Sequence, residues 1–487
     1  MKGDFSRDTF DPTKHFSRVL MQQGRVLLDT DWNELNSLVL HYMRTLAADL
    51  IGPYGGPQLD CGFAILTQSS LPSSCAPPTP DSERIERLRS VKMPRNFLIG
   101  RGRYYVGGIL CENERISTYS PTEIPGYAQA DYKPDMLENG RSYLIYLDVS
   151  ERHVTWLDDE SIREVALGSH GPDTATRAKV ICQVKALELT STEFINLTCQ
   201  NIQDAPVWQE RLGLWQPENR GQLKAKADEP DDPNATEPCI IAPEARYRGV
   251  ENQLYRVEIH RAGNLTTPAT FKWSRENGSI LLPVRSINGN RVTLEHMGRD
   301  ARSGVQVGDW VEIVDDEYEL RAESAALLQV TSVNLTDMYV MLSGPPAATR
   351  TDAGGRTLKR RNQLLRRWDH KAGDPRLGGL ELRDGAALVK EQTGANENWL
   401  ELEDGVKIQF QPNGNYRAGD YWMIPARTAT GDVEWPGEVG RPEPRPPHGV
   451  THYYAPLARI TVAGDGAVNV DVDFRRRFGP LAQCPAM

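Results

Sequence analysis

Between Leu254 and Leu342 the chain carries seven short runs rich in β-branched and aromatic residues, at 254–260, 271–274, 280–284, 292–295, 310–314, 328–333 and 338–342. Runs this short, separated by turn-forming residues, fit strands joined by tight connections better than helices. Asn277-Gly278 and Asn288-Gly289 read as hairpin turns, because both central residues of a type I′ turn take positive φ. A small barrel or sandwich is the expected outcome.

The same texture recurs on both sides. Upstream, 97–100, 103–111, 143–149 and 180–186 read as strands, and 143–149 is apolar on both faces, as in a buried central strand. A short helix is expected at 160–167, capped by Asp158 or Asp159 and stopped by Gly168. Downstream, strands are expected at 399–402, 406–410, 421–424, 458–462 and 468–474, with turns at Asp404-Gly405, Asn413-Gly414 and Asp465-Gly466. Residues 70–82 read as a linker, and the polar stretches 216–238 and 344–363 as boundaries. At 487 residues the chain exceeds what one core supports. The expectation is therefore a mainly β (α+β) protein of small β-barrel or sandwich modules with one N-terminal amphipathic helix, divided as 1–55, 56–215, 239–343 and 364–487.

That helix is the one long periodic element. Trp32, Leu35, Val39, Tyr42 and Leu46 alternate spacings of three and four, Asp31 and Glu34 resemble a capping box, and Gly52-Pro53 ends the pattern. Before it, 20–28 reads as an extended, partly apolar stretch interrupted by Gly24. Fifty residues of this kind bury too little to offset an ordering cost of roughly 1–2 kcal/mol each for the backbone. Two readings stand: the helix packs on its own chain, or it pairs with other copies. In the second, Leu35, Val39, Tyr42 and Leu46 lie at a chain-to-chain contact.

The net charge of −10 gives no basic footprint for nucleic acid. The polar N-terminus lacks the apolar core of a secretory signal, and no apolar run approaches 18 residues, so cytoplasmic synthesis without membrane insertion is expected. The seven cysteines are widely scattered and read as reduced thiols, with a Cys199–Cys239 bridge left open. No G-x-S-x-G, G-x-x-x-x-G-K-[ST], H-E-x-x-H or complete G-x-G-x-x-G sequence occurs, so neither a catalytic role nor a cofactor is expected. Asp29-Thr30-Asp31-Trp32-Asn33 begins like a calcium loop but has Glu34 where glycine is needed and Leu40 where the last carboxylate is needed, so it reads as a helix cap. His448 and His452 follow Pro446-Pro447, which argues against a shared helical face and a metal pair. The basic cluster Lys359, Arg360, Arg361, Arg366 and Arg367 beside Trp368 reads as a polar strand edge rather than a nucleic-acid groove, and Arg475-Arg476-Arg477 likewise.

Several longer phrases carry a resemblance. Residues 1–7 (MKGDFSR), 19–26 (VLMQQGRV), 31–34 (DWNE), 171–177 (GPDTATR), 271–278 (FKWSRENG), 365–369 (LRRWD), 402–405 (LEDG) and 419–427 are similar to an uncharacterised bacterial domain family encoded in clusters for phage-tail-like contractile injection systems. The resemblance implies a subunit of the injection particle at its baseplate, spike periphery or outer decoration. It implies other particle subunits as partners, with a homotrimer as the guessed assembly, and carries over no catalytic residue. The alternative is a carbohydrate or cell-surface binding module with exposed aromatics, and after it a polysaccharide hydrolase.

Overall fold

The computed structural model describes residues 1–71, 82–122, 126–129, 134, 136–168, 173–190, 192–217, 220–228, 246–264, 266–300, 302–320, 323–347, 350–351, 357–358, 363–392, 398–438 and 440–480. Most of the linker at 70–82, much of the two expected boundaries, Gly171-Pro172, Lys359, Arg360, Arg361, Cys75, Cys239 and Cys484 lie outside them. The chain is mainly β, with its strands in several sheets.

Two thirteen-residue strands, Ser142–Val154 and Arg177–Leu189, pair antiparallel over their whole length. Tyr453–Val462 and Val468–Asp473 extend this sheet beyond Ser142–Val154. Period-two alternation then divides the side chains. Tyr143, Ile145, Leu147 and Val149 enter a core shared with Tyr54, Phe97 and Tyr104, while Leu144 packs on the other face against Trp208 of the helix Pro206–Trp215. The first of these cores is walled by a sheet ordered Arg477–Phe478, Tyr54–Pro57, Gly102–Val106, Ile109–Asn113. Its last two strands were expected as one run. Gly107 and Gly108, with φ of 57° and 76°, break that run into a hairpin.

A central six-stranded sheet places Gln253–Arg261 between Thr270–Ser274 and Tyr421–Arg427. Against it packs a three-stranded sheet made of Leu223–Ala227, Val406–Phe410 and Leu400–Glu403, and together they enclose Tyr255, Phe271, Trp273, Phe410 and Trp422. Six further strands pair in a closed ring: Leu281–Asn288, Arg291–Leu294, Tyr339–Leu342, Leu327–Asn334, Trp310–Val314 and Leu364–Trp368, the last returning to the first.

The seven consecutive runs therefore serve two structures, two in the central sheet and five in the ring. Asn277-Gly278 is the corner between them rather than a hairpin. Both residues take positive φ, 51° and 67°, but the strands on either side pair elsewhere. In the hairpin near Asn288, that residue lies opposite Arg291, so Gly289 and Asn290 are the central pair, and of these Gly289 takes positive φ. The expected helix at 160–167 is two 3-10 turns, Glu160–Ile162 capped by Asp159 and Val165–Leu167 stopped by Gly168. Strand pairing crosses the expected boundaries. Strands from the division at 364–487 join the ring, the central sheet and the long-strand sheet.

Candidate functional site

The N-terminal helix spans Asp29–Ile51 and ends where expected, with the Gly52 N–H donating to Ala48 O at 2.8 Å. Its start differs from the capping-box reading. The cap position is Leu28, without a side-chain hydrogen bond, and the helix begins two residues before Asp31. The acidic side chains of the first turns serve the preceding segment instead. Asp29 accepts from the Ser6 N–H at 3.0 Å, and Glu34 accepts from Thr9 Oγ1 at 2.6 Å. The calcium-loop phrase is helical backbone for the same reason.

The helix is amphipathic in the inverted sense. Of its side chains only Thr30 and Leu38 are buried. Toward the body it turns Leu38 together with polar residues: Arg44 makes two hydrogen bonds to Glu151 at 2.8 and 2.9 Å, and the His41 ring lies 5.7 Å from that of Phe10. Asn33, Ser37, Leu40 and His41 line a cavity of about 1090 Å³ together with Ser150, Arg152 and Arg177. Toward solvent it turns the periodic apolar residues. Val39, Tyr42 and Leu46 are 48%, 52% and 61% exposed, Trp32 is 66% exposed, and Leu35 is half-buried. The seam read from the sequence is thus present, and the chain's own body does not cover it.

Residues 16–28 continue this surface. Gly24, with φ of 70°, makes a turn between Gln22 and Arg25, and apolar side chains stand out on both sides of it: Leu20 and Met21 before, Val26, Leu27 and Leu28 after. Thirteen of the twenty-seven exposed large apolar side chains among the described residues fall within residues 16–50. Exposed apolar side chains concentrated in this way are rare on a protein that stays alone.

The first residues hold the segment to the body by polar contacts that sequence reasoning left unassigned. Asn277, at the corner between sheet and ring, donates to the carbonyls of Met1 and Gly3 at 3.1 and 3.0 Å. Lys2 reaches Glu258 at 3.2 Å, Arg256 reaches the same carboxylate at 2.7 Å, and Lys272 bridges Glu258 and Glu312 at 3.5 and 2.8 Å. Burial works against ionisation of Glu258, yet the charges of Lys2, Arg256 and Lys272 hold its carboxyl well below the usual range. Burial, with the neighbouring cations, pushes the Lys2 amine down to about 8. Arg7 pairs with Glu434 at 2.9 Å, and Arg427 donates to Ser6 O at 2.8 Å. The separate phrases of the resemblance therefore meet in space. Arg275 also joins two of them, donating its backbone N–H to Asp369 at 2.9 Å and its guanidinium to Glu403 at 2.7 and 2.9 Å.

The other described residues singled out from sequence have structural partners. The strand Leu364–Trp368 is paired on both sides, so Arg366 and Arg367 are not at an edge, and both are buried. Arg367 donates to the carbonyls of Arg302 and Gly304, each at 2.6 Å. A guanidinium has five donors, and turning two of them onto backbone carbonyls makes burial tolerable where a strand edge was expected. Trp273, Trp368 and Trp422 are core residues, whereas Trp399 is half-buried beneath Lys226. Arg475 is buried against Asp473 and the carbonyls of Cys61 and Gly62. His448 stacks on Tyr421, and His452 bonds Asp148 at 2.6 Å, so the two rings have different partners. Cys61, Cys111, Cys182 and Cys199 carry free thiols. Among the described residues no helix is long and apolar enough to cross a membrane.

No curated protein and no solved structure matches the chain. A family model does, over residues 1–205 and 190–469, which include the N-terminal segment, its helix and the sheets that anchor them. The chain therefore belongs to the family of unknown function DUF6519.

Proposed function

We propose that this chain is a structural subunit of a phage-tail-like contractile injection particle, acting through protein–protein contacts at its baseplate, spike periphery or outer decoration. Its partners are other particle subunits. It is made in the bacterial cytoplasm and enters a particle that is released or docked at a membrane. The phrases shared with proteins encoded beside such particles support the setting.

The observation that carries the reading is the orientation of the N-terminal helix. A helix that packed for its own chain's sake would bury Val39, Tyr42 and Leu46; this one leaves all three exposed and meets the body through Leu38 and the Arg44–Glu151 pair. The chain spends four points of polar attachment, at Ser6, Thr9, Arg44 and Asn277, on holding an apolar surface outward. Assembly is the use to which such a surface is suited. A glycan-gripping alternative needs aromatic rings exposed on the sheets; of the tryptophans on strands, Trp273, Trp368 and Trp422 are buried and Trp310 is half-buried.

Deleting the gene in a strain that makes the particle tests the proposal. Particles that are absent, incomplete or unable to contract are the expected result. Particles of normal composition that assemble and fire without this chain overturn it.

A further inference from the structure

We propose that the outward face of the N-terminal helix and the arm at residues 16–28 are covered by a second copy of this chain. The inference rests on the assembly reading and adds the partner to it.

The first argument is the form of the face. Trp32, Leu35, Val39, Tyr42 and Leu46 follow spacings of three, four, three and four, the repeat that lets two helices set side chains of one into gaps of the other. A seam of this kind is self-complementary, since each copy presents both the projecting side chain and the gap. Arg44 is the helix's one basic residue, and it is turned inward onto Glu151 of its own chain, so no cation lies on the seam.

The second argument is area. Thirteen exposed side chains in residues 16–50, at roughly 80 Å² each, offer on the order of 1,000 Å², against about 800 Å² per partner in a stable complex. The seam alone falls short of that, because a helix of 23 residues carries under four heptads. The arm supplies the rest.

The third argument is length. From Trp32 to Leu46 the seam rises about 21 Å at 1.5 Å per residue. The leg of the arm before the turn at Gln22–Arg25, residues 16–21, extends about 20 Å over six residues, and the leg after it, residues 26–28, about 10 Å over three. One leg therefore matches one seam. The Ser6–Asp29 bond closes the base of the arm, and both the arm and the seam stay exposed in the single chain. In the paired form, seam lies against seam, and the arm of each copy lies along the flank of the other, where Leu40, Met43 and Leu50 are exposed.

Light scattering on the full chain tests this. At tens of micromolar the wild type is expected to have at least twice the mass of one chain. Changing Val39→Asp and Leu46→Asp, both more than 45% exposed and so outside the core, is expected to return it to one chain with unchanged β circular dichroism. Val26→Asp with Leu27→Asp in the arm is expected to weaken association at least tenfold while the seam is intact. A wild type that stays at one chain, or seam variants that keep the oligomeric mass, overturn self-pairing. Purifying particles from strains carrying the seam variant separates the two proposals. A wild type that is monomeric alone yet enters particles through this seam refutes only the self-pairing, whereas normal particles without any copy of the chain refute the assembly reading as well.

Discussion

Asn277 Nδ2 donates to the carbonyl of Gly3 at 3.0 Å, across 274 residues of sequence. The same side chain donates to Met1 O at 3.1 Å and accepts from Arg256 Nη1 at 3.2 Å. One fully buried amide thus ties the first residues to the corner between the central sheet and the ring.

Replacing it is the first prediction. Asn277→Ala removes the two donors to the Met1 and Gly3 carbonyls and the acceptor for Arg256, and puts a residue that disfavours positive φ at 51°. The expected cost is about 2–4 kcal/mol. Asn277→Asp keeps the turn but turns an oxygen toward the two carbonyls, so it is expected to release the N-terminal residues as well. Proteolysis near Arg7 together with a lower urea midpoint is the readout. Unchanged protection of that segment in both variants refutes the role.

Much of this was legible in the sequence at the level of local pattern. The periodic helix, the strand runs and the glycine turns follow from side-chain spacing, and their places in the fold agree to within a few residues. What stayed hidden was long-range. Nothing local to Leu364–Trp368 says that it closes a ring with Leu281–Asn288, or that Arg366 faces Glu312 across a strand pair. The basic run looked like an edge because charge on a strand ordinarily means solvent, and here carboxylates and carbonyls from distant segments take its place. Likewise the spacing of Leu35, Val39, Tyr42 and Leu46 fixes one face of a helix, but which way that face turns depends on Glu151 and Gly108, more than fifty residues away.

A second prediction concerns acid. Burial pushes the His260 imidazole down to about 3 and the His370 imidazole down to about 4, both from an ordinary value of 6.5. Each is therefore neutral in the folded chain while the unfolded chain takes up a proton below 6.5. Their contribution is present in full above that pH and is lost as pH falls toward the folded values. At pH 5 each histidine costs about 2 kcal/mol relative to pH 7. Urea midpoints are expected to fall between pH 6.5 and 5, and to fall less in His370→Gln. A flat profile across that window contradicts the assignment.

The charge cluster gives a third. Lys272 is 3% exposed and is shared by Glu258 and Glu312. Lys272→Met leaves Glu312 buried with its nearest counter-charge gone, at an expected cost of about 3–5 kcal/mol. Adding Glu312→Met removes the stranded carboxylate and is expected to recover most of that loss, because Glu258 keeps Lys2 and Arg256. Thermal melts of the single and double variants decide it. A double variant no more stable than Lys272→Met shows that the pair is not coupled.

The last prediction tests whether the N-terminal helix is an appendage or a part of the core. Gly108 sits in the hairpin turn at φ of 76°, and a Cβ there falls on the carbonyl of Arg44 in the helix. Gly108→Ala therefore has two effects: about 1 kcal/mol of backbone strain within the turn, and a push on the helix next to its Arg44–Glu151 contacts at 2.8 and 2.9 Å. The hairpin itself is held by five register pairs from Gly102 to Val106, so it stays formed. With few buried side chains to resist, the helix is expected to move away, losing amide protection from Asp29 to Ile51 while the main thermal transition falls by only a few degrees. Hydrogen exchange followed by segment separates the cases. Selective loss of protection along the helix marks it as an appendage poised for a partner, whereas uniform loss across the Gly102–Val106 sheet and the helix together makes it part of its own chain's core, and the outward seam then needs another explanation.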